Sequence, residues 1–538
     1  MSWRDHLVVL PVLLPLIASA VLLLTNERNR SLKNGISLAT VAATLLIALQ
    51  LLADVVARGR FGGFATRAYL LGDWPAPYGI VLVVDWLSAL MLVLTGVLAL
   101  AALIYSTARW QRAGPRFHAL FLLQLVGLNG AFLTGDLFNL FVFFEVLLAA
   151  SYGLLLHGSG EARVKAGLHY VAINVLASLF FLIGASLIYG VVGTLNMADL
   201  ATRIPSVTGT DLALLQSGMA VLGIAFLIKA GMWPLGFWLP STYAAAAPPA
   251  AALFAILSKV GIYAVLRVYL LLFGAEVGWT SNFGEEWLLF GGIATLTFAT
   301  IGVLAVRSLA GVAGFSLLIS SGTLLAVIGA GEGAVLGGAL LYLASSTLGI
   351  AAFYLLIELL ERTEDDDNRL NVSETFFDDE ITEAVSVREE EVGVVIPATI
   401  AILGGGFMLC ALLLSGLPPL PAFLAKFAMI DGLLGLADPV PAATWWLIAL
   451  LLVSGLATLI ATTRAGVDLL WTPERTQPLL RLGEAAPIGM LLAVSLGLMI
   501  FAGPAMRYME RTGQSLDDRA GYIRAVLNAP TVKQRGQP

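Results

Sequence analysis

The sequence has few of the residues that build metal and redox sites. Its single cysteine, Cys410, lies in an apolar stretch, which excludes a disulfide framework within the chain and a cysteine-ligated zinc or iron–sulfur site. The four histidines, His6, His118, His157 and His169, are scattered, and none belongs to an H-x-x-H or H-E-x-x-H pair. We therefore expect no metal site and no cofactor.

Charged residues are also scarce: they make up 12% of the 538 residues, whereas hydrophobic residues make up 59% and the mean hydropathy is +0.89. A soluble protein carries about twice that share of charge, so the composition predicts an integral membrane protein. The net charge of −6 is unevenly distributed, because residues 361–391 hold thirteen acidic residues and three arginines, a net charge of −10, and the rest of the chain carries +4. We expect this acidic segment to be a solvated loop. The rest of the chain is too weakly charged to bind nucleic acid.

Hydropathy in windows of about 19 residues predicts an all-α polytopic membrane protein with about fourteen transmembrane helices. Two of the segments are too long for one straight crossing and are interrupted by proline and glycine, in "KAGMWPLGFWLP" after residue 228 and in "SGLPPLPAFLAKF" after residue 414. They predict broken helices, which are tolerated where the backbone faces protein or water. The fourteen predicted spans are 7–24, 34–56, 80–105, 116–134, 136–157, 166–192, 212–238, 245–273, 287–306, 308–330, 334–360, 393–436, 443–463 and 483–505.

The positions of lysine and arginine predict the orientation of the chain. With the N-terminus outside, fifteen basic residues fall in inside loops and five in outside segments, with six more in the tail after residue 505. Basic residues concentrate in cytoplasmic loops. We therefore expect a bacterial cytoplasmic membrane protein with both termini outside and the acidic segment 361–391 inside.

Five ionisable residues fall deep inside the predicted spans: Glu145, Lys229, Lys259, Arg267 and Lys426. Each costs roughly 2.5–3.5 kcal/mol at the centre of a membrane helix, so each should be paired or hydrated within the bundle. Arg267 lies near the outer boundary of the predicted membrane region. For this residue, a side chain that extends to the membrane–water interface is an equally good interpretation. The other four residues predict a proton relay. Burial disfavours the charged form of a lysine and a neighbouring carboxylate favours it, so a change in their separation loads or unloads a proton.

Four long segments resemble a known family: "GDLFNLFVFFEVLLAASYGLLL" (135–156), "GVVGTLNMADLA" (190–201), "KAGMWPLGFWLPSTYAAAAPPAAALFAILSKVGIYAVLRV" (229–268) and "SGLPPLPAFLAKF" (415–427). They are similar to the antiporter-like membrane subunits shared by respiratory complex I, membrane-bound hydrogenases and Mrp-type Na⁺/H⁺ antiporters. The first two resemble the D-type subunits of the Mrp antiporters in particular.

The resemblance implies two inverted five-helix repeats, spans 4–8 and 9–13, each enclosing a half-channel. It divides the chain into N-terminal helices (1–115), a first repeat (116–273), a second repeat (287–463) and a last helix with a tail (483–538). The acidic segment would interrupt the second repeat.

The resemblance also implies roles for single residues. Glu145 matches the family's glutamate of span 5, and Lys229, Lys259 and Lys426 match lysines of spans 7, 8 and 12 that carry protons. Relatives often have a base in span 11 and a lysine in span 6, where this chain has three hydroxyls and a histidine. These four residues are candidates to support a water wire: Ser345, Ser346, Thr347 and His169.

Three functions remain open on the sequence alone. The first is a proton-translocating subunit of a multi-subunit Na⁺/H⁺ antiporter, working with a larger A-type subunit and small membrane subunits and moving H⁺ along the Glu/Lys relay to drive Na⁺ out. The second is a proton-pumping subunit of a redox complex such as complex I or a hydrogenase. The third is a scaffold in which the lysines only pack the bundle. None of the three makes this chain an enzyme with its own cofactor.

Overall fold

A computed structural model describes residues 3–26, 29–60, 65–110, 116–158, 160–274, 282–331, 333–362, 397–470 and 480–531. The predicted solvated loop falls almost entirely between two of these ranges, so it lies outside the described residues and stays a prediction.

Nearly all of the described chain is helical, in agreement with the all-α prediction. The helices are α1 (Leu10–Leu24), α2 (Arg30–Arg60), α3 (Trp86–Ala108), α4 (Phe117–Leu133), α5 (Leu137–Leu155), α6 (Glu161–Val192), α7 (Met197–Arg203), α8 (Thr210–Ala230), α9 (Trp238–Ala245), α10 (Pro248–Phe273), α11 (Glu285–Ala305), α12 (Leu309–Gly329), α13 (Gly333–Glu361), α14 (Pro397–Ser415), α15 (Pro421–Gly435), α16 (Ala442–Leu470), α17 (Leu482–Ile500), α18 (Ala502–Asp517) and α19 (Arg519–Leu527).

Within the described ranges, eleven helices are long and apolar enough to cross a membrane: α2, α3, α5, α6, α8, α10, α11, α12, α13, α16 and α17. The shorter apolar helices α1, α4 and α14 coincide with the other three predicted spans. The prediction of an all-helical polytopic membrane protein is confirmed. The count of fourteen crossings and the inverted repeats stay predictions.

One predicted span begins later than expected. Residues Val81–Val84 form a strand, β2, which pairs antiparallel with β1 (Arg67–Leu70), with Arg67 opposite Val84. The helix of the predicted span 80–105 therefore starts only at α3. An unbroken apolar run does not distinguish a buried strand from the first turn of a helix, so the sequence pattern extended the span too far.

Both predicted interruptions are present. α8 ends at Ala230 and the chain turns through Gly231 (φ 79°) before α9. α14 ends at Ser415 and turns through Gly416 (φ 72°) before α15. Glycine adopts this left-handed backbone conformation at no steric cost, which explains why the helices stop at these two positions.

The core lies around α10, α12 and α13, whose side chains are almost all buried. α13 packs against α10, α12, α14, α15, α17 and α18. We call the end of the bundle that carries β1, β2, α18 and α19 the hairpin end. We call the opposite end the Glu358 end. There Glu358 accepts hydrogen bonds from Tyr105 (2.7 Å) and Trp110 (2.8 Å). Arg362 donates both to Glu358 (3.3 Å) and to Glu484 (2.7 Å).

Candidate functional site

Lys259 begins a hydrogen-bonded chain through the core. It is fully buried near the middle of α10, and its Nζ donates to Oγ of Ser320 in α12 at 2.8 Å. Oγ of Ser320 lies 2.9 Å from Oγ of Ser346 in α13. A lysine and two hydroxyls thus connect three core helices, and among the described residues no carboxylate forms an ion pair with Lys259. Hydroxyls both donate and accept, so this chain can pass a proton in either direction.

The end of α8 is held against α10 by close backbone packing. Gly261 of α10 faces Lys229 and Ala230, and a Cβ at Gly261 would lie only 2.5 Å from the Ala230 backbone nitrogen. A glycine is required for the two helices to approach this closely. Gly261 follows Lys259 by two residues, so this contact places the backbone of Lys229 beside the part of α10 that carries Lys259.

Lys229 is buried in the last turn of α8, with its Nζ 5.0 Å from the centre of the Phe144 ring. Nζ makes no hydrogen bond with any described residue. Glu145, the neighbour of Phe144, is near enough to act electrostatically on Lys229 but does not form an ion pair with it. An aromatic face compensates only a small part of the cost of burying an ammonium, so Lys229 requires water or a neutral state.

Glu145 is half-buried in α5, and its Oε1 accepts a hydrogen bond from Ser178 of α6. The carboxylate is therefore held by a hydroxyl of the next helix and not by the lysine. Ser178 was missed from the sequence. The sequence carried no signal that distinguishes it, because small hydroxyls are also ordinary packing residues in membrane helices.

Lys426 is buried in α15 and is bound by backbone oxygens. Its Nζ donates to the carbonyl of Ser415, the last residue of α14, at 3.2 Å and to that of Leu451 in α16 at 3.4 Å. Gly455 leaves room for this contact, because a Cβ there would lie 3.1 Å from Nζ and 2.6 Å from the Ser415 carbonyl.

The predicted supporting residues divide into two groups. All three hydroxyls are buried and lie within hydrogen-bonding distance of carbonyls of their own helix, at 3.2 Å for Ser345, 3.3 Å for Ser346 and 2.6 Å for Thr347. Ser346 also belongs to the chain from Lys259. His169 is exposed on α6, with Nδ1 2.9 Å from the Lys165 carbonyl. The structure therefore brings Lys259 and Ser346 together and places His169 on the outer surface of the single chain.

For Arg267, the interpretation that the side chain extends to the membrane–water interface is wrong. The guanidinium is buried and binds both carboxylate oxygens of Asp85, at 2.6 and 2.9 Å. It also lies 5.5 Å from the Tyr263 ring and 5.4 Å from the Tyr522 ring. Asp85 in turn caps α3 by accepting from the backbone N–H of Ser88 at 2.9 Å.

The ammonium group of Lys229 thus faces a phenyl ring, that of Lys259 donates to a serine hydroxyl, and that of Lys426 donates to backbone carbonyls. None of them is locked in its charged form by a carboxylate in the described part of the chain. Groups of this kind can load and release a proton when water or a mobile charge approaches. In the described ranges, no group of three or more His, Cys, Asp or Glu side chains could hold a metal ion.

Residues 134–458 match the family described as "NADH:quinone oxidoreductase/Mrp antiporter, TM". The chain is 54% identical over 537 residues to the D-type subunit of a probable K⁺/H⁺ antiporter of Rhizobium meliloti, covering 98% of this chain and 99% of the relative. It is 32% identical to the D-type subunit of the Na⁺/H⁺ antiporter of Alkalihalophilus pseudofirmus, covering 97% and 99%.

Solved structures share the fold. A chain of the Mrp complex from Dietzia sp. DQ12-45-1b superposes with a TM-score of 0.79 at 25% identity, covering 98% of this chain and all of that one. A chain of respiratory complex I from Thermus thermophilus has a TM-score of 0.73 at 22% identity, covering 95% and 99%. The family match, which spans more than half of the sequence, and the relatives of nearly equal length show that this chain belongs to the antiporter-like membrane subunits of the NADH:quinone oxidoreductase/Mrp antiporter family.

Proposed function

We propose that the chain is the D-type subunit of a multi-subunit monovalent cation/proton antiporter. Protons entering the cell would pass through it along Glu145, Lys229, Lys259 and Lys426 and drive a cation outward. The observation that carries the proposal is the hydrogen-bonded chain from Lys259 through Ser320 to Ser346. It joins a deep lysine to the centre of the bundle, and no described residue forms an ion pair that would immobilise the lysine. Each proton moved inward releases about 2.3 kcal/mol per 100 mV of membrane potential.

The exchanged cation is Na⁺ or K⁺. The sequence resemblance pointed to Na⁺, and the relative that is 54% identical to this chain is named for K⁺/H⁺ antiport. Both cations therefore belong in the test, and the ratio of the two responses measures the selectivity.

The protein would work in the bacterial cytoplasmic membrane with both termini outside, beside a larger A-type subunit and small membrane subunits. The full-length similarity to a chain of the Mrp complex supports this assembly. The hairpin end would then face outward and the Glu358 end the cytoplasm. The role is that of a secondary transporter component and not of an enzyme.

The test is proton release from acidified inside-out vesicles that contain the complete complex, measured with a pH-sensitive dye when Na⁺ or K⁺ is added. We expect a cation-dependent response from the wild-type complex and little response from Glu145→Gln or Lys229→Ala, with all subunits still copurifying. Normal exchange in both variants would contradict the relay. An exchange-inactive wild-type complex that copurifies with flavin or iron–sulfur proteins would instead favour the redox function.

A further inference from the structure

Arg163, in the first turn of α6, joins four parts of the chain at the Glu358 end. Its Nε donates to the carbonyl of Ala245, the last residue of α9, at 3.0 Å. Its Nη1 donates at 3.3 Å to the carbonyl of His157, which follows the last residue of α5 by two positions. Its guanidinium carbon lies 5.2 Å from the centre of the Trp110 ring. We call these contacts of Arg163 the α9 clamp.

The sequence after α9 explains why a side chain is needed at this helix end. In an α-helix the carbonyl of residue i accepts from the backbone N–H of residue i+4. For Ala244 and Ala245 those residues are Pro248 and Pro249, and proline has no N–H to donate. Carbonyls at a helix C-terminus therefore take other donors, among them basic side chains. Arg163 supplies one to a carbonyl that the following backbone leaves without an α-helical donor.

The charge of Arg163 is also favoured at this place. Glu358 of α13 is near enough to attract the guanidinium electrostatically. Glu358 also accepts from Nε1 of Trp110 at 2.8 Å, and the ring of the same Trp110 faces the guanidinium. A cation is stabilised on an aromatic face, and a helix C-terminus attracts positive charge. We therefore expect the α9 clamp to stay closed in the resting protein.

The α9 clamp joins the helix that carries Glu145 to the segment that follows Lys229. After Lys229 the chain turns at Gly231, and α9 then packs against α6 and α12 and ends eight residues later at Ala245. Glu145 lies on α5, which ends just before His157. The far ends of the two segments are therefore tied to one guanidinium, while their near ends meet where Glu145 acts on Lys229.

We propose that Arg163 is a positioning residue that fixes the separation of Glu145 from Lys229 by tying the end of α9 to the end of α5. Glu145 and Lys229 interact without an ion pair, and the attraction between two charges inside a protein changes with each ångström of separation. A displaced α9 would therefore alter how readily Lys229 takes up and releases a proton. The clamp itself carries no proton. The inference rests on the proposed function, since it names a residue that sets the geometry of the relay.

The first experiment measures the position of α9 without any transport. Phe138→Cys on α5 and Ser241→Cys on α9, both exposed, are spin-labelled in a Cys410→Ala background of the complete complex, and pulsed EPR gives the distribution of distances between the labels. The clamp is then removed with Arg163→Ala. The matched control is Lys165→Ala, which removes an exposed basic side chain from the same turn region of α6.

We expect the distance distribution to be at least about twofold wider in Arg163→Ala, because α9 loses the charge-assisted hydrogen bond at its end, and to be unchanged in Lys165→Ala. If Arg163→Ala fails to assemble, Arg163→Gln, which has a shorter and neutral side chain, should give the same broadening. An unchanged distribution would overturn the proposal. This readout remains valid if the complex exchanges no cation, so failure of the clamp and failure of the proposed function are distinguishable.

The second experiment measures cation-driven proton release from vesicles that contain the complete complex. We expect Arg163→Ala to lower the maximal rate about tenfold at an unchanged cation concentration for half-maximal rate, as for a group that is displaced from its working geometry. Arg163→Lys can still donate to the Ala245 carbonyl and should recover part of the rate. Lys165→Ala should keep the wild-type rate. A wild-type rate in Arg163→Ala would exclude a positioning role.

The third experiment replaces the α9 clamp by a covalent bridge. Arg163→Cys and Ala245→Cys are combined in the Cys410→Ala background and joined with a short bifunctional methanethiosulfonate. We expect slow proton release before bridging, recovery of most of the lost rate after it, and slow release again once the bridge is reduced. A monofunctional reagent is the control and should restore nothing. Continued slow release from fully bridged complexes would contradict a clamp that stays closed.

Discussion

At the hairpin end, Arg267 is bound by both carboxylate oxygens of Asp85, whereas Lys229, Lys259 and Lys426 in the middle of the bundle have no carboxylate ion pair among the described residues. The first arrangement fixes a charge permanently. The second leaves each lysine free to change its charge. Removing one member of the Asp85–Arg267 pair should therefore lower stability and leave transport in the assembled complex. Removing one of the lysines should lower transport and leave stability unchanged.

The largest effect on transport is expected from Lys259→Met. The substitution keeps the length of the side chain and removes the ammonium, so the chain to Ser320 is lost. We expect proton release to fall at least about hundredfold, the size of effect typical of losing a proton-transfer group. Because no buried partner is left unpaired, the amount of assembled complex should stay the same or rise. A strong loss of assembly would show that Lys259 is structural.

The largest effect on stability is expected from Asp85→Asn. Breaking a buried ion pair by removing one partner leaves an uncompensated charge and costs about 3–5 kcal/mol. We expect a markedly lower yield of assembled complex and an earlier loss of structure on heating in detergent, while the complexes that do assemble still exchange cations.

The double variant Asp85→Leu/Arg267→Met distinguishes the effect of an unpaired charge on stability from the effect of altered side-chain packing at the ion pair. With both charges gone, most of the lost stability should return, because apolar residues of similar volume often replace a buried ion pair at little cost. If the double variant were as unstable as Asp85→Asn, the ion pair would not be the cause.

A smaller effect on transport is expected from Ser320→Ala. The change removes the hydroxyl between Lys259 and Ser346, which a water molecule can partly replace, so we expect proton release to slow by about tenfold with normal assembly. Ser316→Ala is the matched control one turn earlier on α12, since its hydroxyl donates to the Val312 carbonyl of its own helix. The same rate in both variants would remove Ser320 from the path.

The smallest effect is expected from His169→Ala. His169 is exposed on α6, and its ring nitrogen faces the Lys165 carbonyl of the same helix, so the rate of exchange and the assembly should stay within about twofold of wild type. A large loss measured in the complete complex would show that a neighbouring protein makes this histidine part of the path.

Hydropathy alone predicted the long helices, because crossing a membrane requires about 20 apolar residues, and each of the fourteen predicted segments overlaps a helix of the structure. It placed the start of α3 too early, since Val81–Val84 is as apolar as a helix turn. The two helix breaks were also predictable, from proline and glycine in long apolar segments. The sequence pattern does not encode the register in which one helix meets another.

The candidate site was predictable in part. A lysine in an apolar helix is conspicuous, and Lys229, Lys259 and Lys426 were found for that reason. Their partners were not, because Ser178 and Ser320 resemble many serines that only pack. Arg267 was open to a wrong interpretation since its partner Asp85 precedes it by 182 positions and meets it only in the folded bundle.

The two helix breaks also supply charge that never titrates. A helix carries roughly half a negative elementary charge at its C-terminus from aligned peptide dipoles. α8 ends one residue after Lys229, and Lys426 donates to the carbonyl of the last residue of α14. Two helix ends placed inside the bundle therefore apply a constant attractive field to two ammonium groups. This bias favours the protonated lysines by the same amount throughout the transport cycle, so changes in their protonation have to come from water or from the charge of Glu145.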